Sequence, residues 1–192
     1  MCRRKVILDC DPGHDDAIAI LLAGASPELE ILGITTVVGN TTVDNATKNA
    51  LKVLHLAGMD FPVAKGMARH LLREPSLHIS GAVHGKSGLE GSIIPESPKA
   101  PVAEHAVDFI IRQLREASEK VTLVPTGPLT NIAMVFLKAP DVKEKVREIV
   151  FMGGALLHAG NVTSAAEFNI YADPEAAKIV LSSGLPLTMV GL

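Results

Sequence analysis

Short apolar runs alternate with longer helix-forming segments along the whole of this sequence. The apolar runs have the length of strands, and the segments between them have the length and the period of helices. Strands that alternate with helices are typical of α/β proteins, in which the helices connect parallel strands. The alternation therefore predicts an α/β fold with a mostly parallel, open sheet and helices on both faces.

The predicted strands are Val6–Leu8, Ile31–Val38, Phe61–Ala64, Val121–Pro125, Glu148–Met152 and Leu187–Val190. The predicted helices are Ala17–Ala23, Thr42–Ala57, Pro101–Ser118, a segment between the Thr126-Gly127-Pro128 turn and Pro140, and one that Asp173 caps and Gly184 ends. Between Gly66 and Ala100 the chain is rich in Gly, Ser and Pro and has no clear period, which predicts a long loop of the kind that is often functional. The segment from Gly153 to about Ala172 is also predicted to be irregular.

Length and composition favour a single domain over residues 1–192. Hydrophobic residues make up 47% of the chain and charged residues 20%, which allows a sizeable core. The net charge of −3 and the lack of a basic run argue against nucleic-acid binding, and no apolar stretch has membrane-spanning length. Cys2 and Cys10 do not have the spacing of a zinc or disulfide motif. The first apolar run stops at Asp9, too early for a signal peptide, so a cytoplasmic location is predicted.

Four carboxylates crowd the turn between the first strand and the first helix: Asp9, Asp11, Asp15 and Asp16. Like charges packed this closely repel one another, and burying them without compensation is costly. Ca²⁺ or Mg²⁺ binds several oxygen ligands, and ligands collect at the carboxyl ends of parallel strands. The cluster therefore predicts a metal site. The alternative is a solvated turn in which Asp15 and Asp16 favour the start of the helix, but this leaves Asp9 and Asp11 unexplained.

Polar residues also follow the later predicted strands, at Gly39-Asn40-Thr41, Thr126 and Met152-Gly153-Gly154, with Asn161 and Glu167-Phe168-Asn169 downstream. In these motifs the chain resembles the inosine–uridine preferring nucleoside hydrolases, and most of all the bacterial ribonucleoside hydrolases. The matching motifs, in order, are Asp9-Cys10-Asp11-Pro12-Gly13-His14-Asp15-Asp16, Gly39-Asn40, His84-Gly85, Thr126-Gly127-Pro128-Leu129-Thr130-Asn131, Met152-Gly153-Gly154 and Ala166-Glu167-Phe168-Asn169. The resemblance covers essentially all of the chain.

The resemblance implies calcium-dependent hydrolysis of the N-glycosidic bond of ribonucleosides, which gives ribose and a free base. It implies that Asp11, Asp16 and the backbone carbonyl of Thr126 bind the calcium ion. Asp11 would also be the base that takes a proton from the calcium-bound water, and Asp9 would support these ligands. His84 would complete the catalytic set on the side of the nucleobase.

Six residues are implied to bind the substrate: Asp15 and Asn169 at the ribose 2′- and 3′-hydroxyls, Asn161 and Glu167 near the 5′-hydroxyl, and Asn40 and Met152 in the sugar pocket. Taken singly, such residues could have a structural role instead, because Asn40 could cap a helix and Met152 could belong to the core. The resemblance further implies a homo-oligomer, either a dimer or a tetramer.

The family normally continues with a segment that carries another calcium-ligating Asp and, in many members, a leaving-group residue. Leu192 comes just before that position, and the strand that precedes it is followed by no helix. We therefore expect the fold to continue beyond Leu192 and the 192-residue form to have little activity by itself.

Two other functions are compatible with parts of the sequence. The first is a non-catalytic chain that binds a ligand or a partner. The second is a magnesium phosphohydrolase with Asp9 as nucleophile and Asp11 as acid and base. The second is disfavoured because Gly153 and Gly154 stand where further carboxylates are expected. Gly85-Lys86-Ser87 lacks the earlier glycine of a phosphate-binding loop, so it does not support a nucleotide triphosphatase.

Overall fold

The computed structural model describes residues 3–75, 85 and 87–192. Its strands form one sheet of order β3-β2-β1-β4-β5-β6, and each pair of neighbouring strands is parallel. The strands are β1 (Arg4–Cys10), β2 (Leu29–Thr36), β3 (Val63–Lys65), β4 (Val121–Pro125), β5 (Val146–Met152) and β6 (Leu187–Val190). The predicted parallel sheet is therefore confirmed.

The helices lie between the strands, as the alternation predicts. They are α1 (His14–Ala25), α2 (Val43–Leu56), α3 (Ala106–Glu116), α4 (Thr130–Lys138), α5 (Phe168–Ala172) and α6 (Pro174–Leu181), and a 3₁₀ helix spans Pro140–Lys145. Thr42 caps α2 by accepting a hydrogen bond from the backbone N–H of Asn45 at 3.3 Å. Gly58 follows α2 with a φ of +65°, a conformation that favours glycine after a helix.

Helices cover both faces of the sheet, which is also as predicted. Ile7 in β1 belongs to a core that includes side chains of α3, α4 and α6. The next residue, Leu8, belongs to a second core that includes side chains of α1 and α2. Successive side chains of a strand point to opposite faces, so β1 contributes to both cores and lies at the centre of the molecule.

The strand order places a topological switch point at the end of β1. The chain runs outward from β1 through β2 to β3 on one side, then returns to β4 on the other side of β1. At such a switch point the loops after the two central strands separate and leave a crevice outside their carboxyl ends. Asp9 pairs with Pro125 in the sheet, so the acidic turn after β1 and Thr126 after β4 border this crevice together.

Two predicted elements differ from the structure. Pro101 does not open a helix, because Val102 bridges to Ala64 and its backbone N–H donates to the Val63 carbonyl at 2.8 Å. This contact holds the chain extended, and α3 begins only after His105. The second difference is α5, which lies in the segment predicted to be irregular.

None of the helices in the described ranges has both the length and the apolarity that are needed to span a membrane.

Candidate active site

Asp9 lies at the end of β1 and is fully buried. Its Oδ1 accepts hydrogen bonds from Thr35 Oγ1 at 2.5 Å and from Asn131 Nδ2 at 2.8 Å, whereas its Oδ2 has no partner among the described residues. Burial raises the pKa of Asp9 to about 7, although the two hydrogen bonds act in the opposite direction. The carboxyl is therefore held firmly through one oxygen only.

Asp11 is buried in the turn after β1, with 1% of its surface exposed. Its Oδ2 accepts a hydrogen bond from the backbone N–H of Asn40 at 2.5 Å, and its Oδ1 has no partner in the described part of the chain. Burial, followed by the charge of Asp16, raises the pKa of Asp11 well above its ordinary value. A buried carboxylate with a free oxygen is unfavourable unless a cation or a ligand donor faces it.

Asp16 lies in the first turn of α1 and points back to the acidic turn. Its Oδ2 accepts a hydrogen bond from the backbone N–H of Asp11 at 3.1 Å, and its carboxyl is within hydrogen-bonding reach of the Asp11 carboxyl and of Thr126. Burial, followed by the charge of Asp15, raises the pKa of Asp16 to about 6. Asp11 and Asp16, predicted to bind one metal ion, are thus brought together.

Two glycines enclose the carboxyl group of Asp11. A Cβ atom added to Gly39, after β2, would overlap Asp11 Oδ2, and one added to Gly127, after β4, would lie 2.6 Å from Asp11 Oδ1. Neither glycine has a positive φ, so the close approach to Asp11 and not the backbone conformation requires glycine here. The turns after β2 and β4 therefore fix Asp11 from its two sides.

Asn169 connects the ends of β4 and β5. Its Nδ2 donates to the Thr126 carbonyl at 2.8 Å and to the Met152 carbonyl at 3.2 Å. The Thr126 carbonyl, predicted to be a metal ligand, therefore already accepts one hydrogen bond and has one lone pair left. Thr126, Met152 and Asn169, which were all predicted from the sequence to belong to the site, therefore meet at the ends of β4 and β5.

Glu167 is 2% exposed and caps α5. Its Oε1 accepts from the backbone N–H of Asn169 at 2.9 Å, and its Oε2 accepts from Gly154 at 2.9 Å and Ile170 at 3.3 Å. The exposed Asn161 lies near this helix, because its Oδ1 accepts from the backbone N–H of Phe168 at 2.8 Å. The contacts of Glu167 and Asn161 with a 5′-hydroxyl remain predictions.

The other predicted site residues have different surroundings. Asp15 is exposed on α1, next to Asp16, and Asn40 is half-buried and contacts Asp11 through its backbone. His84 lies outside the described residues.

The donor set at the crevice suits a hard cation. Asp11 and Asp16 offer carboxylate oxygens and Thr126 offers a carbonyl, which are the ligands that Ca²⁺ prefers. No group of three His, Cys, Asp or Glu side chains in the described ranges is arranged to hold a metal ion. A cation here would therefore bind the two carboxylates together with carbonyl or hydroxyl oxygens.

The profile of one protein family, described as inosine-uridine preferring nucleoside hydrolase, matches residues 6–192. This chain belongs to that family. Its sequence is 53% identical over 190 residues to the pyrimidine-specific ribonucleoside hydrolase RihA of Photobacterium profundum, an alignment that covers 98% of this chain and 60% of that protein. The chain thus spans about 60% of the length of this relative.

Solved structures of nucleoside hydrolases have the same fold. A purine-preferring ribonucleoside hydrolase from Gardnerella vaginalis matches with a TM-score of 0.94 and 43% identity, over 98% of this chain and 61% of that one. A plant nucleoside hydrolase matches with a TM-score of 0.93 and 42% identity, over 98% of this chain and 60% of that one. The resemblance found in the sequence motifs is therefore confirmed at the level of family and fold.

One residue of this candidate site was not assigned a role from the sequence. Asn131, in the first turn of α4, donates to Asp9 and, at 3.0 Å, to the Thr36 carbonyl, and its Oδ1 accepts from the backbone N–H of Met67 at 3.0 Å. It thereby joins the ends of β1 and β2 to the segment after β3. The signal in the sequence was an asparagine in the first turn of an apolar helix, where a buried polar residue needs partners.

We expect the contribution of Asp9 to the folding stability of the metal-free chain to fall as the pH rises from about 4 to about 7. The pKa of Asp9 is raised from 3.8 to about 7, so folding stabilises its protonated form. This stabilisation is complete below the unfolded pKa and is lost as the pH rises through the folded pKa. The contribution of His70 to stability changes in the opposite direction: burial lowers its pKa, so this contribution increases as the pH rises.

The effect of Asp9 is isolated by comparing the wild-type chain with Asp9→Asn in EDTA. The new amide can occupy the Oδ2 position, and the oxygen at Oδ1 keeps its two donors. The melting temperature of the variant minus that of the wild type should be larger at about pH 7.5 than at about pH 4.5. A difference that did not change with pH would contradict the raised pKa.

Proposed function

We propose that this chain carries the active site of a calcium-dependent nucleoside hydrolase, which cleaves the N-glycosidic bond of ribonucleosides to give ribose and a free base. One observation carries the proposal: the buried carboxyl of Asp11 has one oxygen without a partner among the described residues, and it lies beside Asp16 at the switch point between β1 and β4. The family membership of the chain supports the same chemistry.

Asp11, Asp16 and the Thr126 carbonyl would hold the calcium ion. When bound, the ion would orient the ribose diol and lower the pKa of a bound water. The raised pKa values of Asp11 and Asp16 support this assignment, because they reflect buried carboxyls without a counter-charge. A cation would let both groups stay ionised at neutral pH.

Asp11 would accept the proton of the attacking water. Its Oδ2 is held by the Asn40 backbone, so Oδ1, which has no partner in the described part of the chain, would be the oxygen available to the water. The two adjacent glycines prevent the carboxyl from turning away. A base held in one orientation does not have to be ordered at the moment of reaction.

The ribose would lie between Asp15 and Asn169, with Asn40 and Met152 beside it. Cleavage of a glycosidic bond builds positive charge on the sugar, and the acidic turn would stabilise that charge. Asn169 holds two backbone carbonyls through its amide, so its Oδ1 would be the atom that accepts a hydrogen bond from a ribose hydroxyl. His84 would act on the side of the nucleobase.

A substrate comparison tests the proposal. Uridine, inosine and p-nitrophenyl phosphate are incubated with the 192-residue chain and with an extended form, in which the C-terminal remainder of a RihA relative follows Leu192. We expect the extended form to release ribose from a nucleoside, and we expect this release to stop in EDTA and to return with Ca²⁺. Phosphate release without ribose release would favour a phosphohydrolase, and neither product from either form would favour a non-catalytic chain.

The family resemblance also supports a homo-oligomer and a cytoplasmic location, which we include in the proposal. Light scattering after gel filtration would test the first point. A mass equal to one chain would contradict the predicted dimer or tetramer.

A further inference from the structure

Asn49 is a buried polar residue on α2 to which the sequence assigned no role. Only 4% of its surface is exposed, and its neighbour Ala50 belongs to the core between α2 and the sheet. A buried amide is unfavourable unless its hydrogen-bonding groups are paired. Its partners should therefore explain why it is placed there.

The two protons of the Asn49 amide have different partners. Nδ2 donates to the Pro12 carbonyl at 3.0 Å and to the Ser87 carbonyl at 2.8 Å. Pro12 directly follows Asp11 in the acidic turn, whereas Ser87 begins the segment 87–91 of the long loop. One side chain thus ties this segment to the turn that carries the proposed base.

Segment 87–91 lies directly against the acidic turn. Gly88 is buried with a φ of +86°, and a Cβ atom there would lie 2.9 Å from Asn49 Nδ2, 3.0 Å from the Pro12 carbonyl and 3.1 Å from Thr41 Cγ2. Leu89 is buried in the core beneath α1 and α2, which anchors the segment from below. The tight fit explains why glycine is required next to Asn49.

We propose that Asn49 is a positioning residue that fixes segment 87–91 on the acidic turn and thereby shapes the wall of the nucleoside pocket. This inference rests on the proposed function. Gly88 of this segment packs against the Pro12 carbonyl, next to Asp11, and against Thr41, next to Asn40, and none of residues 87–91 is a proposed metal ligand or base. Displacement of the segment should therefore weaken substrate binding more than it slows the chemical step.

Two variants displace the segment by independent routes. Asn49→Asp keeps the shape of the side chain but removes both donors and places a carboxylate against two carbonyl oxygens. Gly88→Ala leaves Asn49 intact and pushes the segment away through its Cβ and its positive φ. Thr47→Val is the matched control: Thr47 is also buried on α2, and its hydroxyl contacts Val43 and Thr36 rather than segment 87–91.

The first measurement does not depend on activity. Lys86 is the only trypsin site of the sequence between Arg73 and Lys99, so cleavage after it reports on how firmly Ser87 is held. We expect Asn49→Asp and Gly88→Ala to be cleaved there at least about fivefold faster than the wild type, and Thr47→Val to be cleaved at the wild-type rate.

The second measurement is nucleoside turnover by the same variants in the extended form, because the 192-residue chain is expected to have little activity by itself. We expect KM for the better of uridine and inosine to rise about tenfold in both segment variants, with kcat within about threefold of wild type. Cleavage and KM that match Thr47→Val would overturn the role of Asn49. An extended wild-type form without nucleoside turnover would instead count against the proposed function, and the cleavage rates would still decide whether Asn49 holds the segment.

Discussion

Replacing Asp11 with asparagine in the extended form should lower kcat/KM for nucleoside hydrolysis by about 10²–10⁴-fold, the usual contribution of a general base. Asparagine has nearly the same shape and can still accept the hydrogen bond from the Asn40 backbone. Asparagine cannot take a proton from water, and the substitution would also remove a charged ligand of the proposed calcium ion. The two losses affect the same transition state, so they need not multiply.

The folding of this variant is expected to be preserved, which separates a catalytic effect from a structural one. Asp11→Asn removes a buried carboxyl whose pKa is raised by burial and by Asp16. Its melting temperature in EDTA should therefore not be lower than that of the wild type near neutral pH. The matched control is Asp141→Asn, which removes only a surface ion pair with Arg115 at 3.0 Å. A variant at Asp11 with activity equal to this control would rule out Asp11 as the base.

Alanine at Gly39 or Gly127 should lower the rate of hydrolysis by about 10²-fold although no catalytic group is removed. Either Cβ would collide with the carboxyl of Asp11 from one side. Asp11 is short and is held by Asn40, so it cannot yield as the end of a flexible side chain could. A displacement of about 1 Å is enough for a loss of this size.

The same two variants should lose about 1–3 kcal/mol of stability, as overpacked sites usually do. Gly24→Ala is the matched control, since Gly24 lies on α1, away from the crevice, and its Cβ would meet the flexible end of Met59. Ribose release and thermal unfolding are measured for all three variants. Normal activity in Gly39→Ala and Gly127→Ala would mean that the position of Asp11 is not fixed as we describe.

The sequence predicted those parts of the structure that depend on local pattern. The sheet follows from the alternation of apolar runs and helices, and the buried acidic turn follows from an apolar strand that ends in carboxylates. Asp11, Asp16 and Thr126 could be placed together because the ends of parallel strands share one edge of the sheet.

The features that were missed depend on contacts between distant residues. Pro101 has the usual signature of a helix start, but the bridge between Val102 and Ala64 keeps the chain extended there. Asn131 reaches Asp9 across 122 positions, and Asn49 reaches Ser87 across 38. The local hydrophobic pattern of a sequence does not identify partners that lie so far apart along the chain. Glu167 was predicted as a substrate contact, and only the structure shows that it also caps α5.

Calorimetric titration with Ca²⁺ near neutral pH tests the central claim most directly, namely that Asp11 and Asp16 form one calcium site. The wild-type chain, Asp11→Asn, Asp16→Asn and the control Asp141→Asn are titrated under the same conditions. We predict saturable binding to the wild type and to Asp141→Asn, and its loss or marked weakening in the other two variants. Equal heats in all four proteins would contradict the account.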